Sequence, residues 1–308
     1  MRKIVLTIFV YRSLQSSPPP SEGQNFTKNR QNYFYFPIPV DKNIEKLNIY
    51  ENNGLIYDLF FTMSHGVNRG VLKANKTDER YPFINELVKR NPDIIFDIYG
   101  YKNRQPIWSE DFYKIINQSK MGLNLSRGAP TKLYSSNRIA SLMGNGLLTF
   151  IDKKTQLSDF FDDDEVVFYN NIHDLSKKLN YYKFLNSLPK KINKLYFGKL
   201  RGKFKLNNKS NKKNGFDPVT NIDRALELFL RKEITKRFPK DGVIGEELKP
   251  KKTKNGFTWV IDPIDGTRSF IIGSPTWSNL ISINYKNIPI FGLVNFPMLK
   301  KYYITGVN

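Results

Sequence analysis

Cysteine is absent from the 308 residues, and histidine occurs only twice, as His65 and His173. These shortages exclude a disulfide framework, a thiolate nucleophile and any zinc site built from Cys and His, so metal chemistry in this chain has to use oxygen ligands. Long apolar runs are missing too. None approaches the roughly 20 residues that a bilayer-crossing helix needs, so no membrane partner is expected. Met1 to Val10 combine a basic start with a short apolar core, as a signal peptide does, but no small-residue cleavage site follows; a first strand and a cytoplasmic location are the expectation. Acidic residues are in short supply, 28 Asp+Glu against 49 Lys+Arg, for a net charge of +21. The excess is spread along the chain among abundant Asn, Ile, Phe and Tyr, and its densest segment, Lys199 to Lys213, reads as a loop. No specific nucleic-acid partner is therefore expected, while a field of this sign also draws phosphorylated small molecules.

What is present suits a globular protein: 40% hydrophobic and 14% aromatic residues, over a length that accommodates two domains. Ser16 to Arg30, with Pro18, Pro19, Pro20 and Gly23, reads as an exposed connection. Strands and helices then alternate. Strands are expected at Leu55 to Thr62, Asp93 to Tyr99, Met121 to Leu125, Leu147 to Ile151 and Val166 to Tyr169, with helices at Asp78 to Arg90, Asp111 to Ser119, Ser135 to Met143 and near Leu175. That alternation argues a Rossmann-like parallel sheet covered on both faces, with ligand loops at the carboxyl ends of its strands. Two such loops, Ser64 to Gly70 and Ser126 to Lys132, join glycine to cations and suit a diphosphate; a flexible basic loop is the competing reading. Asp162-Asp163-Asp164-Glu165, between Phe160-Phe161 and a strand, reads as a solvated turn rather than a metal cluster.

Beyond Tyr181, the spacing of Phe184, Leu185, Leu188, Ile192, Leu195 and Tyr196 predicts a helix that Pro189 breaks or kinks. A second helix opens at Thr220 and runs to about Arg237 on a stripe of Ala225, Leu226, Phe229, Leu230 and Ile234, and a short strand, Gly242 to Gly245, delivers Glu246 and Glu247. The apolar run Phe257 to Ile261 is a buried strand expected to end on Asp262, where Pro263 forbids helix and the backbone turns. Asp265 follows three residues on, so both carboxylates can converge at the strand end, where a hard divalent ion would relieve their repulsion. Asp-Pro and Asp-Gly are also ordinary turn dipeptides, and Asp223, three residues after Thr220, stands where a capping-box acid belongs. Thr276 to Tyr285 and Ile288 to Phe296 read as a hairpin, with Tyr302 to Thr305 a further strand.

Three acidic stretches occur in order: Asp217-Pro218-Val219-Thr220 with Asp223, Gly245-Glu246-Glu247, and Asp262-Pro263-Ile264-Asp265-Gly266-Thr267. In these the segment from about residue 184 resembles the inositol monophosphatase family of metal-dependent phosphatases. Phe216, Arg268-Ser269-Phe270-Ile271 and Gly273-Ser274-Pro275-Thr276-Trp277 are most similar to its histidinol-phosphatase branch. The resemblance implies a layered α/β sandwich, of which this chain holds the first part. It implies Mg²⁺ bound by Glu246, Asp262 and the Ile264 carbonyl, with a second ion shared by Asp262 and Asp265. It further implies a water oriented by Thr267 and Glu246, a contribution from Asp223, and phosphate held by Asp265, Gly266 and Thr267. The implied activity is hydrolysis of a small phosphorylated metabolite, histidinol phosphate or inositol monophosphate, and the resemblance admits a homodimer. Members of that family carry a further acidic motif, W-D-x-x-A-G, with no counterpart up to Asn308.

The segment from about Leu55 to Tyr182 resembles the nucleotide-binding half of GT-B glycosyltransferases. That implies Arg69, Arg127, Lys132 and Arg138 facing the phosphates of a nucleotide sugar and Gly144-Asn145-Gly146 closing a helix. Where that family has a ribose-holding glutamate the helix offers Ser141, and too few residues precede Leu55 for an acceptor domain, so a binding module without catalysis of its own is expected. The expected division is an N-terminal strand and loop at 1–28, the glycosyltransferase-like module at 29–182 and the phosphatase-like domain at 183–308. A joining of two incomplete domains without activity is the remaining alternative.

Overall fold

The structure is a computed structural model that describes residues 37–52, 54–64, 80–161, 165–202, 205–208 and 218–306. The expected first strand, the Ser16 to Arg30 connection, His65, Arg69, Asp162 to Asp164 and Asp217 lie outside the described residues. The chain divides into two compact units, the first up to Lys178 and the second from Leu179. No helix among the described residues is long and apolar enough to cross a membrane.

In the first unit, β1 (Tyr57–Thr62), β2 (Phe96–Tyr99), β3 (Ser119–Asn124), β4 (Leu148–Asp152) and β5 (Val167–Tyr169) form, among the described residues, a five-stranded sheet of order β2-β1-β3-β4-β5, parallel throughout. Helices α1 (Arg80–Arg90), α2 (Ser109–Ile116) and α3 (Asn137–Gly144) alternate with the strands. Near-continuous burial along β1 and β3 is what a parallel sheet covered on both faces requires. Among the described residues, one apolar cluster includes Ile49, Phe60, Ile116 and Leu142, and another includes Ile139, Ile151, Phe161 and Phe168. β1 passes to β2 on one side and the chain then returns to β3 on the other. The carboxyl ends of β1 and β3 therefore flank the switch point, where open sheets of this kind hold ligands. The boundaries lie within a few residues of the expected ones; Ser119, expected at the end of a helix, instead begins β3.

Helix α4 (Ile172–Leu195) corrects half of one expectation: it is not broken at Pro189, which lies inside it. Proline inside a helix costs about 3 kcal/mol, but Tyr181, Leu185, Leu188 and Ile192 make one fully buried stripe on both sides of it. Burying four such side chains outweighs the lost backbone hydrogen bond.

The second unit contains the sheet β12-β11-β10-β9-β8, with β8 (Gly242–Gly245), β9 (Phe257–Asp265), β10 (Ser278–Tyr285), β11 (Ile288–Phe296) and β12 (Lys301–Gly306). β8 is parallel to β9 and the remaining pairings are antiparallel. Lys286 and Asn287, both at positive φ, make the two-residue turn between β10 and β11. Helix α5 (Asn221–Arg237) packs on β9 through Ile222, Leu226, Leu230 and Ile234, all fully buried. Beside it, Tyr181, Phe184 and Phe238 surround Trp259, and Tyr181 also stacks on Phe257. β6 (Leu206–Asn208) and β7 (Pro218–Thr220) form a separate antiparallel pair, and the five-residue helix α6 (Thr267–Ile271) follows β9.

Candidate functional site

The second expectation to be corrected concerns β9. The strand does not end on Asp262; it runs on through Pro263 and Ile264 to Asp265, and the turn comes at Gly266, whose φ of 84° suits glycine. A bulge makes this possible. Asp265 pairs with Ser278 and Asp262 pairs with Leu280, so three steps along β9 oppose two along β10. In a regular strand, residues three apart point to opposite faces. The extra residue cancels that alternation and turns both aspartates to one face, while Pro263 and Ile264 are buried between them. Ser278 Oγ donates to Asp265 Oδ2 at 3.1 Å, the Ile264 N–H donates to Asp262 Oδ1 at 3.2 Å, and Thr267 Oγ1 donates to the Ile264 carbonyl at 3.1 Å.

Electrostatics place further carboxylates near this bulge. The Asp262 carboxyl is pushed up to about 6, first by burial and then by the charges of Glu246, Asp265 and Asp223, with the Ile264 N–H opposing. Glu246 and Asp265 are themselves exposed. Asp223 is 1% exposed and closes a capping box: the Thr220 N–H and Oγ1 both donate to its Oδ2, at 2.9 and 2.5 Å, and Thr220 Oγ1 accepts from the Ile222 and Asp223 N–H groups. The capping role is thus real, and it leaves Asp223 within electrostatic reach of Asp262. Among the described residues, no three acidic or histidine side chains are drawn in tightly enough to hold a metal ion as they stand.

Sequence reasoning missed Glu227. It is 0% exposed, receives Arg231 Nε on Oε1 at 2.7 Å and accepts the Glu247 N–H on Oε2 at 2.7 Å. Arg231 also donates to the Leu248 carbonyl at 3.1 Å. The turn that presents Glu246 is thereby fastened to α5. Asp223, Glu227 and Arg231 recur every four residues, which places them on one helix face, and that spacing was the available signal. Asp241 was missed as well; it is 1% exposed and accepts from Tyr181 Oη, Trp259 Nε1 and Asn255 Nδ2.

In the first unit, the Arg127 guanidinium donates to the Ser64 carbonyl at 3.4 Å and Arg138 donates to the Leu125 carbonyl at 3.0 Å, so both sit at the carboxyl ends of β1 and β3. Arg138 also lies over the Phe61 ring. Lys132 is exposed. Asn145 caps α3 and donates to the Ser141 carbonyl, with Gly146 at φ 88° completing the stop.

Comparison with known proteins agrees with both halves of this arrangement. Residues 178–307 match the inositol monophosphatase family. Residues 80–192 match a glycosyl transferase-like family. The chain is 44% identical over 86 residues to a histidinol-phosphatase of Chlorobaculum parvum, covering 28% of this chain and 33% of that protein. It is 42% identical over 84 residues to a histidinol-phosphatase of Mycobacterium tuberculosis, covering 27% and 32%. The chain therefore spans about a third of the length of these curated relatives. The crystal structure of extragenic suppressor protein suhB from Bartonella henselae aligns with 20% identity and a TM-score of 0.36, over 42% of this chain and 49% of that one.

The inositol monophosphatase-like segment has a donor set suited to a hard divalent cation. Its candidate ligands are oxygens only, and Asp262 and Asp265 share one face of β9, where burial first and the neighbouring carboxylates second disfavour the Asp262 charge, a penalty that a bound cation relieves.

Proposed function

We propose that the second unit provides the acidic site of a Mg²⁺-dependent phosphomonoester hydrolase acting on a small phosphorylated metabolite, with histidinol phosphate or inositol monophosphate as the favoured substrate. The observation that carries this reading is the bulge in β9 that turns Asp262 and Asp265 to one face, with the charges of Glu246 and Asp223 also bearing on the Asp262 carboxyl after burial. Glu246, Asp262 and the Ile264 carbonyl would hold one ion, and Asp262 with Asp265 a second. When bound, magnesium supplies Lewis-acid stabilisation of phosphoryl charge and lowers the pKa of a water toward neutrality. The chain's own groups do the rest. Glu246 and Thr267 orient the attacking water, the Thr267 hydroxyl being steadied by its bond to the Ile264 carbonyl. Gly266 and Thr267 direct backbone N–H groups to the phosphate, and the buried Asp223 adds negative potential that favours cation binding.

Phosphate release from histidinol phosphate and inositol monophosphate, with Mg²⁺ and with chelator, tests the reading in this chain and in a version extended to the relatives' length. Mg²⁺-dependent release that Asp262→Asn abolishes without unfolding the protein is the expected result. No release from either substrate by the extended version overturns it.

A second reading concerns the first unit alone: nucleotide-sugar binding at the β1/β3 switch point, supported by the glycosyl transferase-like match and by Arg127 and Arg138 at the strand ends. Arg69 and Lys132 complete its cation set. Heat of binding on titration with nucleotide sugars, lost in Arg138→Ala, is the expected outcome; no heat excludes it.

A further inference from the structure

The bulge in β9 leaves the Pro263 carbonyl buried and displaced from the regular ladder, and an unmet buried carbonyl is costly. Asn279, the β10 residue opposite the bulge, meets it: its Nδ2 donates to the Pro263 oxygen at 2.6 Å. That bond fixes the orientation of the Asn279 amide, because a carbonyl only accepts. The Asn279 Oδ1 must then accept, and it does so from Asn295 Nδ2 at 2.7 Å, Asn295 being its register partner on β11. The second Asn295 Nδ2 hydrogen goes to Asn193 Oδ1 on α4 at 3.0 Å. Asn279 and Asn295 are both 0% exposed. The Asn295 Oδ1 is buried with no partner, so this residue is used for its two donors alone. Every amide in the series has one allowed direction.

We propose that Asn193, Asn295 and Asn279 form a directed amide relay that holds the Asp262–Asp265 bulge in the geometry needed to bind a divalent cation. Asn279 and Asn295 are positioning residues: they touch neither cation nor phosphate and act through the Pro263 carbonyl. This rests on the metal reading given above. Polarity separates it from ordinary core packing. The Pro263 end needs a donor and the α4 end needs an acceptor, so one chemical change, amide to carboxylate, has opposite consequences at the two ends.

The test is calorimetric titration of the full chain with MgCl₂, with circular dichroism and thermal unfolding as controls on folding. Asn279→Ala and Asn279→Asp are expected to weaken Mg²⁺ uptake by about 10- to 100-fold, the range found when groups that orient metal ligands are removed. Asn193→Asp, which keeps the acceptor, retains tighter uptake than Asn193→Leu, which removes it. Folded Asn279→Ala that takes up Mg²⁺ as the unaltered chain does overturns the relay. So does Asn193→Asp proving as damaging as Asn193→Leu, a comparison that decides the matter even where Asn279 variants do not fold. No Mg²⁺ uptake by the unaltered chain overturns the metal reading and the relay with it.

Discussion

The Glu227 carboxylate fills the space that a Cβ at position 245 would occupy, closer than real Cβ atoms approach any neighbour. Gly245 is therefore required by packing: only a residue without a side chain lets Glu227 reach the Glu247 N–H and hold the turn that presents Glu246. Gly245→Ala should destabilise the second unit by about 1–3 kcal/mol, the usual consequence of overpacking. The urea midpoint should fall with its slope unchanged. Combining Gly245→Ala with Glu227→Ala should cost less than the two separately, because both break the same contact.

Glu227→Ala alone is expected to be the more severe change. The Glu227–Arg231 pair is buried, with side-chain exposures of 0% and 15%, so removing the acid strands a guanidinium that keeps only the Leu248 carbonyl. Breaking a buried pair from one side costs about 3–5 kcal/mol. Chemical denaturation measures this, and Glu227→Gln, which keeps an acceptor for the Glu247 N–H, should lose less.

Asp262 makes a pH prediction of definite sign. Its carboxyl rises from 3.8 to about 6 on folding, so between those values the folded chain binds more protons than the unfolded one. Its contribution to stability is full below 3.8 and is lost as the pH rises through about 6. In chelator, Asp262→Asn should raise the thermal midpoint at neutral pH and flatten its fall across that window. Mg²⁺ should raise the midpoint of the unaltered chain at neutral pH and leave that of the variant unchanged.

Asp241 anchors the aromatic cluster behind the site. Its Oδ2 accepts Tyr181 Oη at 2.7 Å and Trp259 Nε1 at 2.9 Å. Burial, then the Asp241 charge and bond, keep the Tyr181 phenol protonated well above its ordinary range. Asp241→Ala removes the acceptor that the Tyr181 hydroxyl and the buried Trp259 N–H share and should cost about 3 kcal/mol. A shift in Trp259 emission and a lower unfolding midpoint would register it.

Much of this molecule could be read along the chain. The alternating elements of the first unit, the Leu226, Leu230 and Ile234 of the expected stripe, all fully buried, and the order of the acidic stretches are local patterns, and local spacing is what a sequence displays. The failures share a cause. Pro189 lies inside an unbroken helix whose Leu185, Leu188 and Ile192 are fully buried, and whose Phe184 and Asn193 meet Trp259 and Asn295, far along the chain. β9 continues past Pro263 because Asn279, 16 residues on, donates to the carbonyl that the bulge displaces. Glu227 gave no sign of its partner because Glu247 lies 20 residues away.

The residues by themselves determined which chemistry is available: oxygen ligands in place of sulfur and imidazole, and carboxylates brought near a strand end by their spacing. Only the tertiary structure decided that Asp262 and Asp265 share a face. Strand alternation opposes it, and the extra residue of the bulge, its buried carbonyl satisfied from β10, reverses it. A chain can record which groups it owns, but the direction in which they point depends on hydrogen bonds between segments that meet only on folding.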